Sequence, residues 1–175
     1  MPVAGRTTGA RELEEWTGGW ENYVVHDVVP WADRALPTIA LAPARVIAGL
    51  SAGGYGAVDI ALGHPGLFQF AEASSGYFKP FRDGSLAHAP QADLAAHDPS
   101  LLVRREARLL RRRQMAFFLS TGFNHGGISR SWTFDFAREL HSLKLPYALW
   151  AARHPDGGRY LRLQLPAALE FALHY

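Results

Sequence analysis

Apolar and polar positions change period several times along this 175-residue chain, and each change marks an element. Trp20, Val24, Val28 and Trp31 recur at helical spacing, so residues 20–34 predict an amphipathic helix. Pro30 lacks an N–H and crowds the preceding turn, which kinks or tightens that helix near its end. From Ala44 to Leu50 the chain is a short apolar run, closed by Ser51-Ala52-Gly53-Gly54 as a buried strand runs into a tight turn. Helical spacing returns at Tyr55, Val58, Ala61 and Leu62 and stops at His64-Pro65-Gly66. Three further apolar runs, 68–73, 115–120 and 147–151, predict strands. One helical stripe, on Trp132, Phe136, Leu140 and Leu143, separates the last two strands, and another, on Leu161, Leu165, Ala168, Leu169 and Ala172, follows them.

Strands that alternate with helices, and that are apolar almost throughout, predict an α/β fold: a parallel sheet of about four strands with helices on both faces. Residues 1–175 read as a single domain, with 48% hydrophobic and 19% charged residues to build and solvate its core. In such a sheet, sites lie at the carboxyl ends of the strands. The irregular segment 78–99 is a candidate lid or rim over that edge.

Composition narrows the function classes. The 17 glycines and 11 prolines are scattered among apolar runs, against disorder or a collagen-like repeat. No apolar run approaches the roughly 20 residues that span a bilayer, and the first residues lack the order of a secretory signal. A soluble protein is expected; its compartment stays open, with the cytoplasm slightly favoured. The absence of cysteine excludes disulfides, a thiolate nucleophile and cysteine-ligated metals, and the histidines show no metal-ligand spacing. Neither a metal nor another cofactor is expected. The net charge of +2 gathers at Arg104, Arg105, Arg108, Arg111, Arg112 and Arg113. With Leu101, Leu102, Leu109 and Leu110 as the apolar side, this stretch reads as the solvated face of a helix. It carries no interleaved aromatic residues to stack on bases, so no nucleic-acid partner is expected; docking on an anionic membrane is the weaker alternative.

The chemistry gathers at Gly49-Leu50-Ser51-Ala52-Gly53, a G-x-S-x-G sequence between a predicted strand and a predicted helix, the context of a nucleophile elbow. Ser51 is the candidate nucleophile. Gly49 and Gly53 would be required because side chains two residues either way would collide with the neighbouring strand and helix. The Ala52 N–H, at the start of the helix, is placed to face the oxyanion of a tetrahedral intermediate.

Trp20-Glu21-Asn22-Tyr23, Pro30-Trp31, the run Ala48 to Ala57 through the elbow, His64-Pro65-Gly66-Leu67-Phe68 and Ala73-Ser74-Ser75-Gly76 together resemble the Putative esterase family of α/β-hydrolases, which includes S-formylglutathione hydrolase and the mycolyltransferases. The resemblance covers residues 20 to 173. It implies a partial α/β-hydrolase fold lacking the usual N-terminal strands, a Ser-His-acid triad, and hydrolysis or acyl transfer on a small ester or thioester without a cofactor. The family's acid typically follows the third strand here in a Gly-x-x-Asp turn, where this chain reads Gly122-Phe123-Asn124-His125. Its histidine typically follows the fourth strand in a Gly-Gly-His turn, where this chain has Gly157-Gly158-Arg159, with His154 five residues before the arginine. An arginine is no general base near neutral pH. His154 and His125 are therefore the candidate bases, with His125 and Asn124 alternatively binding substrate; Asp156 and Asp135 are the nearby carboxylates, Asp135 reading as a surface group. The second expectation is a homologue of impaired or no activity that keeps the fold for binding or scaffolding. Without the strands that precede the elbow in relatives, the sheet would expose an apolar edge, so the expectation is a fragment, a truncated gene product, or a protomer whose edge a partner such as a second copy of the chain covers.

Overall fold

The computed structural model describes residues 16–82, 87–122, 126–151 and 157–174. Two short helices, α1 (Gly19–Asn22) and α2 (Val29–Ala35), flank a π-helical stretch, Tyr23–Val28. Pro30 lies at the start of α2. Its missing N–H leaves the preceding turn one donor short, so the helix predicted over 20–34 passes through a wider turn. Arg45, just before the first strand, pairs with Asp33 at 2.7 Å and donates to the Leu67 carbonyl at 2.9 Å, fixing α2 beside the sheet.

Four strands follow, β1 (Val46–Leu50), β2 (Phe70–Ser74), β3 (Ala116–Thr121) and β4 (Tyr147–Ala151). All neighbours are parallel and the spatial order is β1-β2-β3-β4, with Leu50 beside Ser74 and Ser74 beside Ser120 at the carboxyl edge. Between β1 and β2 runs α3 (Ala52–Gly63), buried from Gly54 to Leu62; apart from Asp59 its buried residues are apolar or small, or tyrosine, and such a helix belongs in the core. Between β2 and β3 lie α4 (Gln91–Ala96) and α5 (Pro99–Arg112), the second opened by Asp98, whose carboxylate accepts from the Ser100 and Leu101 amides. The short α4 falls inside the segment expected to be irregular. α6 (Gly126–Ser142) joins β3 to β4, and α7 (Gly157–His174) follows β4.

Period two along the strands divides the core. Ala71, Ala73, Phe117 and Leu119 point into the larger cluster with Val58, Leu110, Phe136 and Leu140, from α3, α5 and α6. Phe70, Ala116 and Phe118 point the other way onto Ala168 and Phe171 of α7. Helices therefore cover both faces, as the strand pattern implies. The buried face of α5 is Leu102, Val103, Ala107 and Leu110, while Leu101 is exposed, so the helix is turned from the Leu101-Leu102-Leu109-Leu110 face expected. Arg104 meets Glu139 of α6 at 2.6 Å and Arg111 donates to the Leu143 carbonyl at 2.6 Å. No helix among the described residues is long and apolar enough to cross a membrane.

Candidate active site

Ser51 sits between β1 and α3 with φ 56° and ψ −117°, a conformation that an L residue adopts only at a cost of about 1–3 kcal/mol. Several contacts hold it there. Its N–H donates to the Ser74 carbonyl of β2 at 2.9 Å, and its own carbonyl accepts from the Gly54 and Tyr55 amides at 2.9 and 3.1 Å. A serine in the N-cap position ordinarily uses its hydroxyl to accept from these first amides. Here the backbone carbonyl does so and the side chain makes no capping bond, so Oγ is left at the exposed tip of the turn. Ala52 is the first residue of α3, and its N–H has no intrahelical acceptor, which leaves a donor beside Ser51 at the positive end of the helix dipole.

The glycines of the turn divide the work differently from the G-x-S-x-G reading. A Cβ on Gly49 would stand 2.0 Å from the Gly53 carbonyl oxygen and 2.8 Å from the Gly54 nitrogen, so Gly49 is sterically required. A Cβ on Gly53 would meet nothing within 4 Å. The second tight position is Gly54, whose Cβ would lie 3.1 Å from the Gly49 carbonyl and 3.2 Å from the Gly76 Cα. The third partner, Gly76, comes from the loop after β2, where Ser75 has φ 49° and donates its N–H to the Ser120 carbonyl at 2.7 Å. Sequence spacing alone does not show that approach.

Three side-chain groups near this edge escaped the sequence reading. On the α7 face, the Gln164 amide donates to Glu72 Oε1 at 2.7 Å and to Ser74 Oγ at 3.1 Å, and Ser120 Oγ donates to Ser74 Oγ at 3.0 Å. This network ties α7 to β2 and β3 beneath the elbow. A cleft of about 320 Å³ opens beside it, between Gly49, Leu50 and Glu72 on the sheet and Leu161, Gln164 and Leu165 on α7. A larger cleft, of about 440 Å³, lies at the amino end of β1 around Ala44, Arg45 and Val46, away from the edge where parallel sheets bind ligands. On the other face, Asp59 of α3, almost fully buried, pairs with His97 Nδ1 at 2.8 Å, and the Tyr55 hydroxyl donates to the His97 carbonyl at 2.7 Å. Burial raises the Asp59 carboxyl above its ordinary value despite the histidine, and the Asp59 hydrogen bond raises His97 against the opposing effect of burial. Two anchors thus bind the rim segment to the helix that carries Ser51. Finally, Tyr55 stacks on Tyr77 at 4.9 Å, and Tyr77, Phe81 and Trp132 pack against one another at the carboxyl ends of β2 and β3.

Of the residues singled out in the sequence, Gly49, Ser51, Ala52 and Gly53 come together in the turn. Asn124, His125, His154 and Asp156 lie outside the described residues. Asp135 is exposed on α6 and pairs with Arg138, as its reading as a surface carboxylate implies. His64 pairs with Glu21 at 2.8 Å and His174 with the Glu170 carbonyl at 2.6 Å. Among the described residues no three potential ligands cluster to hold a metal ion.

Comparison with known proteins follows the same lines. The family described as Putative esterase matches residues 2–138. A search of curated proteins gives no match. Among solved structures, a ferulic acid esterase superposes with a TM-score of 0.73 at 18% identity, over 89% of this chain and 61% of its own. The fluorophosphonate-binding serine hydrolase FphF of Staphylococcus aureus gives 0.71 at 18% identity, over 88% and 64%. An S-formylglutathione hydrolase of Agrobacterium tumefaciens gives 0.68 at 20% identity, over 87% and 56%. The chain therefore spans between 56% and 64% of the length of these structures, and at such identities the likeness establishes the fold.

Proposed function

The chain belongs to the Putative esterase family of α/β-hydrolases, and on that premise we propose that it is a serine hydrolase acting on small carboxylic esters or thioesters through Ser51. The observation that carries this reading is the Ser51 conformation: a strained backbone, a side chain released from helix capping, and the Ala52 N–H beside it. In the proposed reaction an imidazole takes the Ser51 hydroxyl proton as Oγ bonds to the substrate carbonyl carbon. The negative charge that develops on the carbonyl oxygen is met by the Ala52 N–H and the helix dipole. Collapse of the tetrahedral intermediate breaks the bond to the alcohol or thiol, which leaves with the proton from the imidazolium. Water, deprotonated by the same base, then releases the acid; a second alcohol in its place would make the reaction an acyl transfer.

We assign the base to His154 and keep His125 as its rival, with Asn124 at the substrate. The test is hydrolysis of p-nitrophenyl acetate by the wild type, Ser51→Ala, His154→Ala and His125→Ala. Loss of the nucleophile lowers the rate by up to about six orders of magnitude, to the residual rate that binding and the oxyanion donor alone supply, and whichever histidine variant falls as far identifies the base. A second reading is favoured by Arg159 in the position of the family histidine and by the lack of a carboxylate in residues 122–125. In it the protein keeps the fold for binding without catalysis, and a wild-type rate equal to that of Ser51→Ala would select it.

A further inference from the structure

Glu72 is the only carboxylate on the four strands, and it stands in an inner one, with Ala48 and Phe118 beside it in register. Its neighbours on the same face are Phe70 and Ser74, and α7 covers that face. Ala168 and Phe171 pack at Phe70, while Gln164, nearer the start of the helix, reaches Glu72 and Ser74. Gly157, where α7 begins, precedes Gln164 by two turns, about 10 Å further toward the carboxyl edge. The Glu72 side chain leans the same way, because its Oε1 accepts from Ser74 Oγ at 3.4 Å as well as from Gln164 at 2.7 Å. Ser74 in turn holds the Ser51 N–H through its carbonyl. Donors run out here before acceptors do. The Gln164 amide nitrogen serves Glu72 and Ser74, and turning the amide round would set its oxygen against the carboxylate. Its Oε1 is buried, and no donor reaches it among the described residues. None of them donates to Glu72 Oε2 either, although an ionised carboxylate accepts about four bonds.

We infer that Glu72 is the positioning residue for the base: its carboxylate accepts the N–H of the imidazole that takes the Ser51 proton. The inference rests on Ser51 being the nucleophile of a hydrolase. In that reaction one imidazole nitrogen faces the hydroxyl, and an acceptor at the other nitrogen fixes the tautomer and stabilises the imidazolium. Residues 122–125 hold no carboxylate for this. Asp59 is taken by His97 on the opposite face of the sheet, Asp98 caps α5, and Asp135 pairs with Arg138 on the surface. Glu72 has an oxygen without a donor, beside a second acceptor, on the face of α7. That helix follows directly on residues 152–156, which include His154 and lie outside the described residues. The carboxylate stays ionised throughout: the imidazole carries the proton from Oγ to the leaving group and keeps its N–H on Glu72.

The test follows p-nitrophenyl acetate hydrolysis from about pH 5 to pH 9 for the wild type, Glu72→Gln, Glu72→Asp and Asp156→Asn, with the Tm of each. Glutamine keeps the shape and an oxygen for the Gln164 amide, so only the charge is lost. For Glu72→Gln the expected kcat is lower by on the order of 10³–10⁴ with KM within about threefold. The low-pH limb of its kcat/KM profile moves to lower pH, because the imidazolium loses a neighbouring negative charge. In the background of the histidine variant that removes the base, the same substitution costs no more than about threefold. Should Glu72→Gln fail to fold, Glu72→Asp decides: withdrawing the carboxylate by one carbon lowers kcat by about 10–100-fold, and a kcat within about threefold of the wild type overturns the inference. An active wild type with Glu72→Gln within about tenfold of it, an unmoved pH limb, or an equal loss without the base overturns the inference and leaves Ser51 as nucleophile. A loss confined to Asp156→Asn also overturns it and gives the role to Asp156. A wild-type rate equal to that of Ser51→Ala overturns the hydrolase reading itself, and this inference with it.

Discussion

Substituting alanine at Gly49 and, separately, at Gly53 gives opposite outcomes if the elbow is built as described, although the two glycines are symmetrical in the G-x-S-x-G sequence. At Gly49 the new methyl would stand 2.0 Å from the Gly53 oxygen and 2.2 Å from its carbonyl carbon. An unstrained contact of this kind needs more than 3 Å, so β1 and the start of α3 must separate by over about 1 Å. Both obstacles are backbone and cannot rotate away, which puts the cost at the upper end of overpacking, about 3 kcal/mol or more. In a chain of this size that lowers Tm by roughly 6–12 °C. Gly53 lies in the first turn of α3 with open space around its Cα and no positive φ. There alanine loses less backbone freedom on folding and is neutral or stabilising by up to about 1 kcal/mol. Urea denaturation followed by circular dichroism measures both. A Gly49→Ala variant within about 0.5 kcal/mol of the wild type, or a Gly53→Ala variant as damaged as Gly49→Ala, refutes the steric reasoning.

Other consequences follow from particular contacts. Replacing Gln164 by leucine removes the amide that donates to Glu72 and Ser74 and leaves Glu72 Oε1 with only the long 3.4 Å bond from Ser74 Oγ, so urea midpoints should show a loss of about 1–2 kcal/mol despite the added apolar surface. Phe136 stacks on Phe78 at 4.1 Å and meets Phe117 edge-on, and Phe136→Ala should cost about 3–5 kcal/mol by the same measurement. His97 titrates above its ordinary value because of Asp59, so the folded state holds that proton more tightly than the unfolded chain does. Its contribution is complete below about pH 6.5 and fades as pH rises through the raised folded value. The Tm difference between wild type and His97→Gln should therefore shrink from pH 6 to pH 9, and a difference that widens over that range contradicts the pairing.

The layout of the fold was legible because its strands are short apolar runs bounded by turn residues, and because Gly49-Leu50-Ser51 carries both the end of a strand and the start of a helix. What stayed hidden depends on contacts between distant segments. Gln164 and Glu72 are 92 residues apart, and Asp59 and His97 are 38 apart, so no local pattern links either pair. Gly54 rather than Gly53 is crowded because Gly76, from a different loop, passes over it. Likewise Pro30 announces a disturbed helix without showing that the adjustment takes the form of a π-helical turn before it. The buried face of α5 differs from the one its leucine pairs predict because packing selects Val103 and Ala107.

The proposed chemistry depends on one hydroxyl that the backbone turns outward beside a helix N-terminus. Incubating the protein with a fluorophosphonate, followed by intact-mass measurement and peptide mapping, tests it most directly. A single adduct located on Ser51 and absent from folded Ser51→Ala is the predicted result. No adduct on the folded wild type, or one that persists in the variant, would contradict it.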